Sequence, residues 1–130
     1  MPRTLVSPPQ MHLAPSYSHY AIAEGSTLIC FAGQVALDND MEIVGPGDLH
    51  AQTVAAMRNL ETAMGVAGVG WDDIVRRTIY TTEPHELEAL GSAIKEVTGD
   101  AENPPQTIVG VTGLALPELL VEIECTAVIA

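Results

Sequence analysis

Positive charge is what this chain has least of. Five lysines and arginines face 17 aspartates and glutamates, giving a formal net charge of −12. Binding a phosphate backbone needs cationic side chains that displace counterions, and none cluster here beyond Arg76-Arg77. That pair reads as one strand residue on each face. Aromatic residues make up only 4% of the chain, too few for a base-stacking platform. Nucleic acid is therefore not an expected partner. The two cysteines, Cys30 and Cys125, fall within strand-like segments, and no histidine pair has metal-ligand spacing. Two small buried thiols are expected, with neither disulfide nor metal. No apolar run reaches the roughly 18 residues of a membrane span. Met1-Pro2-Arg3-Thr4 does not open a secretory leader. The expectation is a cytoplasmic protein with no membrane partner. Walker A, GxGxxG and GxSxG motifs are missing as well, so nothing points to a nucleotide cradle or a hydrolase elbow.

What is present suffices for one domain over residues 1–130, with 47% hydrophobic residues to build a core. A short strand is predicted around Thr4 to Val6. Prolines from Pro8 to Pro15 make the next segment irregular. Strands follow at Tyr20–Ala23 and Leu28–Val35, joined by a Glu24-Gly25-Ser26 turn. Asp48 predicts the N-cap of a helix to about Val66, with Val54, Met57, Leu60, Met64 and Ala67 as its apolar stripe. A strand reaching Tyr80 places Arg76, Thr78 and Tyr80 on one side and Val75, Arg77 and Ile79 on the other. Pro84 suits the first turn of a second helix, whose stripe is Leu87, Leu90, Ile94 and Val97. Thr107–Val111 and Leu119–Ile129 close the chain as strands. The pattern predicts an α/β (α+β) two-layer fold, a single mixed sheet with two helices on one face. The bare face then needs a partner, and self-association is the simplest.

Four places could carry chemistry. Glu122 and Glu124 project from one face of the last strand, about 6–7 Å apart along it. Either could orient or deprotonate a water, or both could form a solvated polar face. Gln106 follows two prolines at a strand entrance. Its amide could hold a carbonyl, ester or amide, or cap its own strand. Tyr17-Ser18-His19-Tyr20 could shuttle protons or pack at an interface, while His12, His50 and His85 stand apart. Gly33-Gln34 ends an apolar strand; the glycine could admit a ligand close to the backbone or mark a β-bulge.

These pieces together resemble the Rid family (YjgF/YER057c/UK114). Tyr17-Ser18 and Gly33-Gln34, Asp72-Asp73-Ile74-Val75, Pro104–Val111 and Leu119–Val128 are similar to its blocks, in order, over nearly the whole chain. The resemblance implies a chorismate-mutase-like fold assembled as a homotrimer, with small-molecule clefts between subunits. It implies cofactor-free hydrolysis of 2-imino or enamine acids to a 2-keto acid and ammonia. Glu122 would be the catalytic residue that positions water. Tyr17, Gly33, Gln106 and Thr107 would bind substrate. Three positions depart from the family pattern: its carboxylate-gripping arginine is Gln106, the asparagine common on its second helix falls at Gly91, and its serine before Gly-Gln is Ala32. Losing one charge-assisted contact weakens binding by about 1.5–3 kcal/mol. A substrate without a carboxylate is therefore expected, or alternatively a non-catalytic binding or regulatory trimer. Older family descriptions would add RNA cleavage, which the acidity opposes.

Overall fold

The Asp48 carboxylate accepts a hydrogen bond from the Ala51 backbone at 3.0 Å and starts the long helix where the sequence places it. In this computed structural model, which describes residues 3–130, that helix is α1 (Leu49–Ala67). The expectation concerning a leader at Met1 and Pro2 lies outside the described residues. Three strands precede α1: β1 (Arg3–Val6), β2 (Tyr20–Ala23) and β3 (Thr27–Gln34). After it come β4 (Ile74–Thr81), α2 (Leu87–Thr98), β5 (Gln106–Gly110) and β6 (Val121–Ile129). Gly68 stops α1 in the left-handed conformation that a side chain would strain, with φ of 79°. Among the described residues no helix is long and apolar enough to cross a membrane.

Both helices pack on a four-stranded mixed sheet of order β3-β6-β4-β5. β6 runs antiparallel to both its neighbours, and β4 runs parallel to β5. The single sheet expected from the sequence is refined here. β1 and β2 pair only with each other, as a separate antiparallel ribbon. Arg3 fastens the ribbon to the start of β4, its guanidinium donating to Ile74 O at 2.6 Å and Glu102 O at 3.0 Å.

Strict alternation along β6 sorts its side chains. Val121, Ile123, Cys125 and Ala127 lie under the helices against Met57, Leu60, Met64, Leu90 and Ile94. Glu122, Glu124 and Thr126 therefore stand on the sheet's bare face. Burial of these apolar side chains contributes most of the stabilisation, at about 1.5–3 kcal/mol for each of the larger ones. Two polar residues of α1 are tied into the structure as well. Gln52 donates to Gly45 O and Glu118 O and accepts from the Leu120 backbone, joining two loops to the helix. Asn59 donates to Val35 O and Leu37 O.

Several expectations need correction. A bulge between Ile74 and Arg76 makes Val75 the extra residue, so Ile74 shares the buried face with Arg77 and Ile79. α2 begins at Leu87 rather than at Pro84, which lies in the preceding turn against Gly110. Leu87 is 61% exposed, and Ala93 takes its place in the core. Cys125 is buried, but Cys30 is exposed on the bare face. That face is more mixed than the composition implied. It offers Leu28, Cys30 and Val109 beside Arg76, Tyr80 and the two glutamates.

Candidate functional site

Three of the five residues expected at a site meet in one place. Tyr17, Gln106 and Thr107 line a cavity of about 410 Å³ between α2 and the edge strand β5. Leu87, Leu90, Ile94 and Ile108 make its walls apolar, and Gly91 leaves part of the helix surface without a side chain. A cavity of this size, apolar with a few polar groups, suits a small organic molecule. The loop bearing Tyr17 is pinned by Ser18, whose backbone donates to Pro104 O at 3.3 Å and whose hydroxyl donates to Asn103 O at 2.7 Å.

Gly33 and Glu122 meet elsewhere, on β3 and β6. β3 bulges between Phe31 and Gln34, and a Cβ built on Gly33 would overlap Glu122 Oε2. Gly33 thus marks a bulge, and the group that comes close to its backbone is the Glu122 carboxylate. Gly33 also borders a separate cavity of about 380 Å³ with Asp38 and Asn59. Glu122 pairs across the sheet with Tyr80, whereas Gln106 pairs with Arg77. Gln106 points to the helix side and Glu122 to the bare side. Within one chain they do not converge. On the bare face the Tyr80 hydroxyl donates to Glu124 Oε1 at 2.9 Å, a bond that pushes the phenol above its ordinary value.

Sequence reasoning missed the cation behind Gln106. Arg77 is 1% exposed, and its Nε–H donates to Gln106 Oε1 at 2.6 Å. A second donor reaches Asn103 Oδ1 at 3.2 Å, and the Arg77 backbone donates to Pro105 O at 3.1 Å. Burial lowers its pKa to about 10. Gln106 is thus not a lone dipole. Its oxygen is committed to a guanidinium, which leaves its amide N–H groups as donors for other contacts. Only the strand alternation that puts Arg77 inward hinted at this. His12 was also passed over. Its Nε2 lies 2.7 Å from the Tyr17 hydroxyl, and its ring meets the His19 ring edge-on at 4.8 Å.

A sequence profile of the Endoribonuclease L-PSP family matches residues 10–129. The chain belongs to this family. A RutC family protein from Synechocystis is 32% identical over 99 residues, 75% of each chain. The RutC family protein UK114 of Drosophila melanogaster is 27% identical over 111 residues, covering 85% of this chain and 78% of its own. A Yersinia pestis protein of the conserved Rid family superposes with a TM-score of 0.94 at 34% identity, over 99% of this chain and 100% of the other. A Mycobacterium tuberculosis member of the YjgF/YER057c/UK114 family gives 0.67 at 34% identity, over 98% and 99%. Membership agrees with the resemblance read from the Tyr-Ser, Gly-Gln and C-terminal blocks. Across this L-PSP family chain, those blocks map onto the Tyr17 loop, the β3 bulge, and β5 with β6.

Proposed function

We propose that this chain binds a small molecule between copies of itself and hydrolyses a reactive imine or enamine there, releasing ammonia. The observation that carries the reading is the cavity uniting Tyr17, Gln106 and Thr107. Glu122 stands on the other sheet face, so a complete site requires a neighbouring copy to bring its Glu122 to this cavity. A closed ring of head-to-tail copies does this, and the resemblance favours three. In the reaction Glu122 orients a water and takes its proton as oxygen bonds to the imine carbon. The nitrogen is protonated and leaves as the C–N bond breaks. One imine and one water thus become one carbonyl compound and one ammonia, with no change of oxidation state. No cofactor is called for.

Ammonia release from a freshly generated 2-imino acid tests the reading. Glu122→Gln should slow it by about 100-fold or more while leaving ligand affinity intact. Undiminished release by that variant would remove Glu122 from the reaction. The separation of Gln106 from Glu122 within one chain also favours a second reading, a non-catalytic binder. That reading requires ligand binding with no ammonia released. RNA cleavage, which the family description names, is disfavoured by the charge of −12.

A further inference from the structure

Hydrolysis of an imine needs protons for the departing nitrogen, whereas Glu122 only removes them from water. The loop before β2 holds a donor together with its supply. Tyr17 lines the cavity of about 410 Å³, and its hydroxyl lies 2.7 Å from His12 Nε2. That is short for a contact between nitrogen and oxygen, which centres near about 2.9–3.0 Å. The His12 ring is exposed and Tyr17 is half-buried, so the pair runs from solvent to the cavity. His19 backs both rings, meeting that of His12 edge-on at 4.8 Å and that of Tyr17 at 5.6 Å. Both His19 ring nitrogens are shielded from solvent and bond to nothing among the described residues. They therefore compete for neither the Tyr17 hydroxyl nor the His12 nitrogen. The loop is fixed on either side of this contact: Ser18 donates to Asn103 O, and the His19 backbone donates to Val6 O at 3.1 Å.

We propose that His12 relays protons from solvent, through the Tyr17 hydroxyl, to the nitrogen that leaves as ammonia. This inference rests on the imine-hydrolysis reading and names the residues that load its leaving group. A protonated His12 donates from Nε2 to the Tyr17 oxygen, which frees the phenolic proton for another acceptor. The nitrogen takes up two protons, one as water adds to the imine carbon and one before the C–N bond breaks. Tyr17 gives each of them, and the His12 Nε2 proton moves onto the phenolic oxygen in the same step, so no phenolate remains. The bonding pair then goes to the nitrogen, and ammonia departs. Two protons leave the water oxygen over the same cycle, both to Glu122, which returns them to solvent. Solvent in turn reprotonates His12, and charge balances. An imidazole suits this task because its charge changes between about pH 5 and 8, whereas a phenol alone is a weak acid.

The test follows ammonia release from a freshly generated 2-imino acid by the intact protein and by variants at His12. His12→Gln keeps a hydrogen-bonding group beside the Tyr17 hydroxyl but carries no proton. His12→Gly leaves the place open to added imidazole. Each should lower kcat by at least about tenfold, with KM changed by less than about twofold. Imidazole should restore much of the rate to His12→Gly and none to Tyr17→Phe. His12→Gln should cost nothing further in a Tyr17→Phe background, because the members of one relay are not additive. A His12→Gln protein with the wild-type kcat overturns the relay and reduces His12 to a support for Tyr17. Failure of imidazole to restore His12→Gly overturns it as well. Either result leaves the hydrolysis reading standing, since the wild type still releases ammonia. If the wild type releases none, that reading falls and the relay falls with it. His12 is exposed, so thermal unfolding of both variants should match the wild type.

Discussion

The carboxylate of Glu122 occupies the space that a side chain at position 33 would need. The bulge in β3 and the absence of a Cβ at Gly33 together hold that space open. Gly33→Ala should therefore turn Glu122 away. Because the displaced atoms end a flexible side chain, stability should fall by only about 1 kcal/mol. Ammonia release should drop at least tenfold. Thermal denaturation and the ammonia assay on one preparation separate the two effects, and a variant of normal activity would show that the position of Glu122 is immaterial.

Three substitutions at Gln106 should rank in a definite order. Gln106→Leu deprives the Arg77 Nε–H of its acceptor and should cost about 1–3 kcal/mol. Gln106→Glu keeps the acceptor and adds the missing negative charge, so its urea midpoint should exceed that of the wild type. Gln106→Arg sets two guanidinia together and should destabilise, instead of simply restoring the family's grip on a carboxylate. A Gln106→Leu protein as stable as the wild type would show that the 2.6 Å contact contributes nothing.

The two thiols should differ sharply. In the folded monomer a disulfide reagent should modify exposed Cys30 alone, and Cys125 should react only after denaturation. Burial pushes the Cys125 thiol up to about 12 from 9.0. The folded state therefore holds this proton where the unfolded chain releases it. The resulting stabilisation is complete below pH 9 and is lost as pH rises toward 12. Cys125→Ala removes that dependence, so the wild type's advantage over it should shrink across this window. Denaturant titrations at several alkaline pH values provide the check. An advantage that stays constant would refute the buried-thiol account.

Assembly should depend on the sheet's bare face. Leu28 is 65% exposed there, on β3. A charge at this position, as in Leu28→Asp, should leave the isolated chain folded and shift its sedimentation toward the monomer. Ammonia release should fall in step if, as proposed, each site takes Glu122 from a neighbour. Full activity in a monomeric variant would contradict the shared site.

Much of this fold could be read in the sequence because local signals agreed with tertiary ones. Asp48 caps α1 as its position predicts, and Met57, Leu60 and Met64 are buried at their three- and four-residue steps. Alternation in β6 separated Ile123 from Glu122 correctly. Errors arose where one residue interrupts a period. The bulge at Val75 moves Ile74 onto the buried face, and α2 starts a turn after Pro84. Tyr17, Gln106 and Thr107, which the resemblance marks, line one cavity, two from the start of β5 and one from the loop before β2. Arg77 was not marked, since nothing along the chain shows that position 77 pairs with position 106. That contact, like the meeting of His12 with Tyr17, follows from strand pairing and loop closure.

Between β5 and β6 the chain leaves the sheet already fastened at both ends. Val111 donates to Thr81 O at 2.9 Å on departure, and Leu120 donates to Gln52 Oε1 at 2.9 Å on return. The two strands do not pair with each other, because β4 lies between them and holds each one. A protease cut around Gly113 would therefore leave two fragments clasped together, with the hydrophobic interior closed. For the same reason this loop is where the molecule can best carry an inserted peptide.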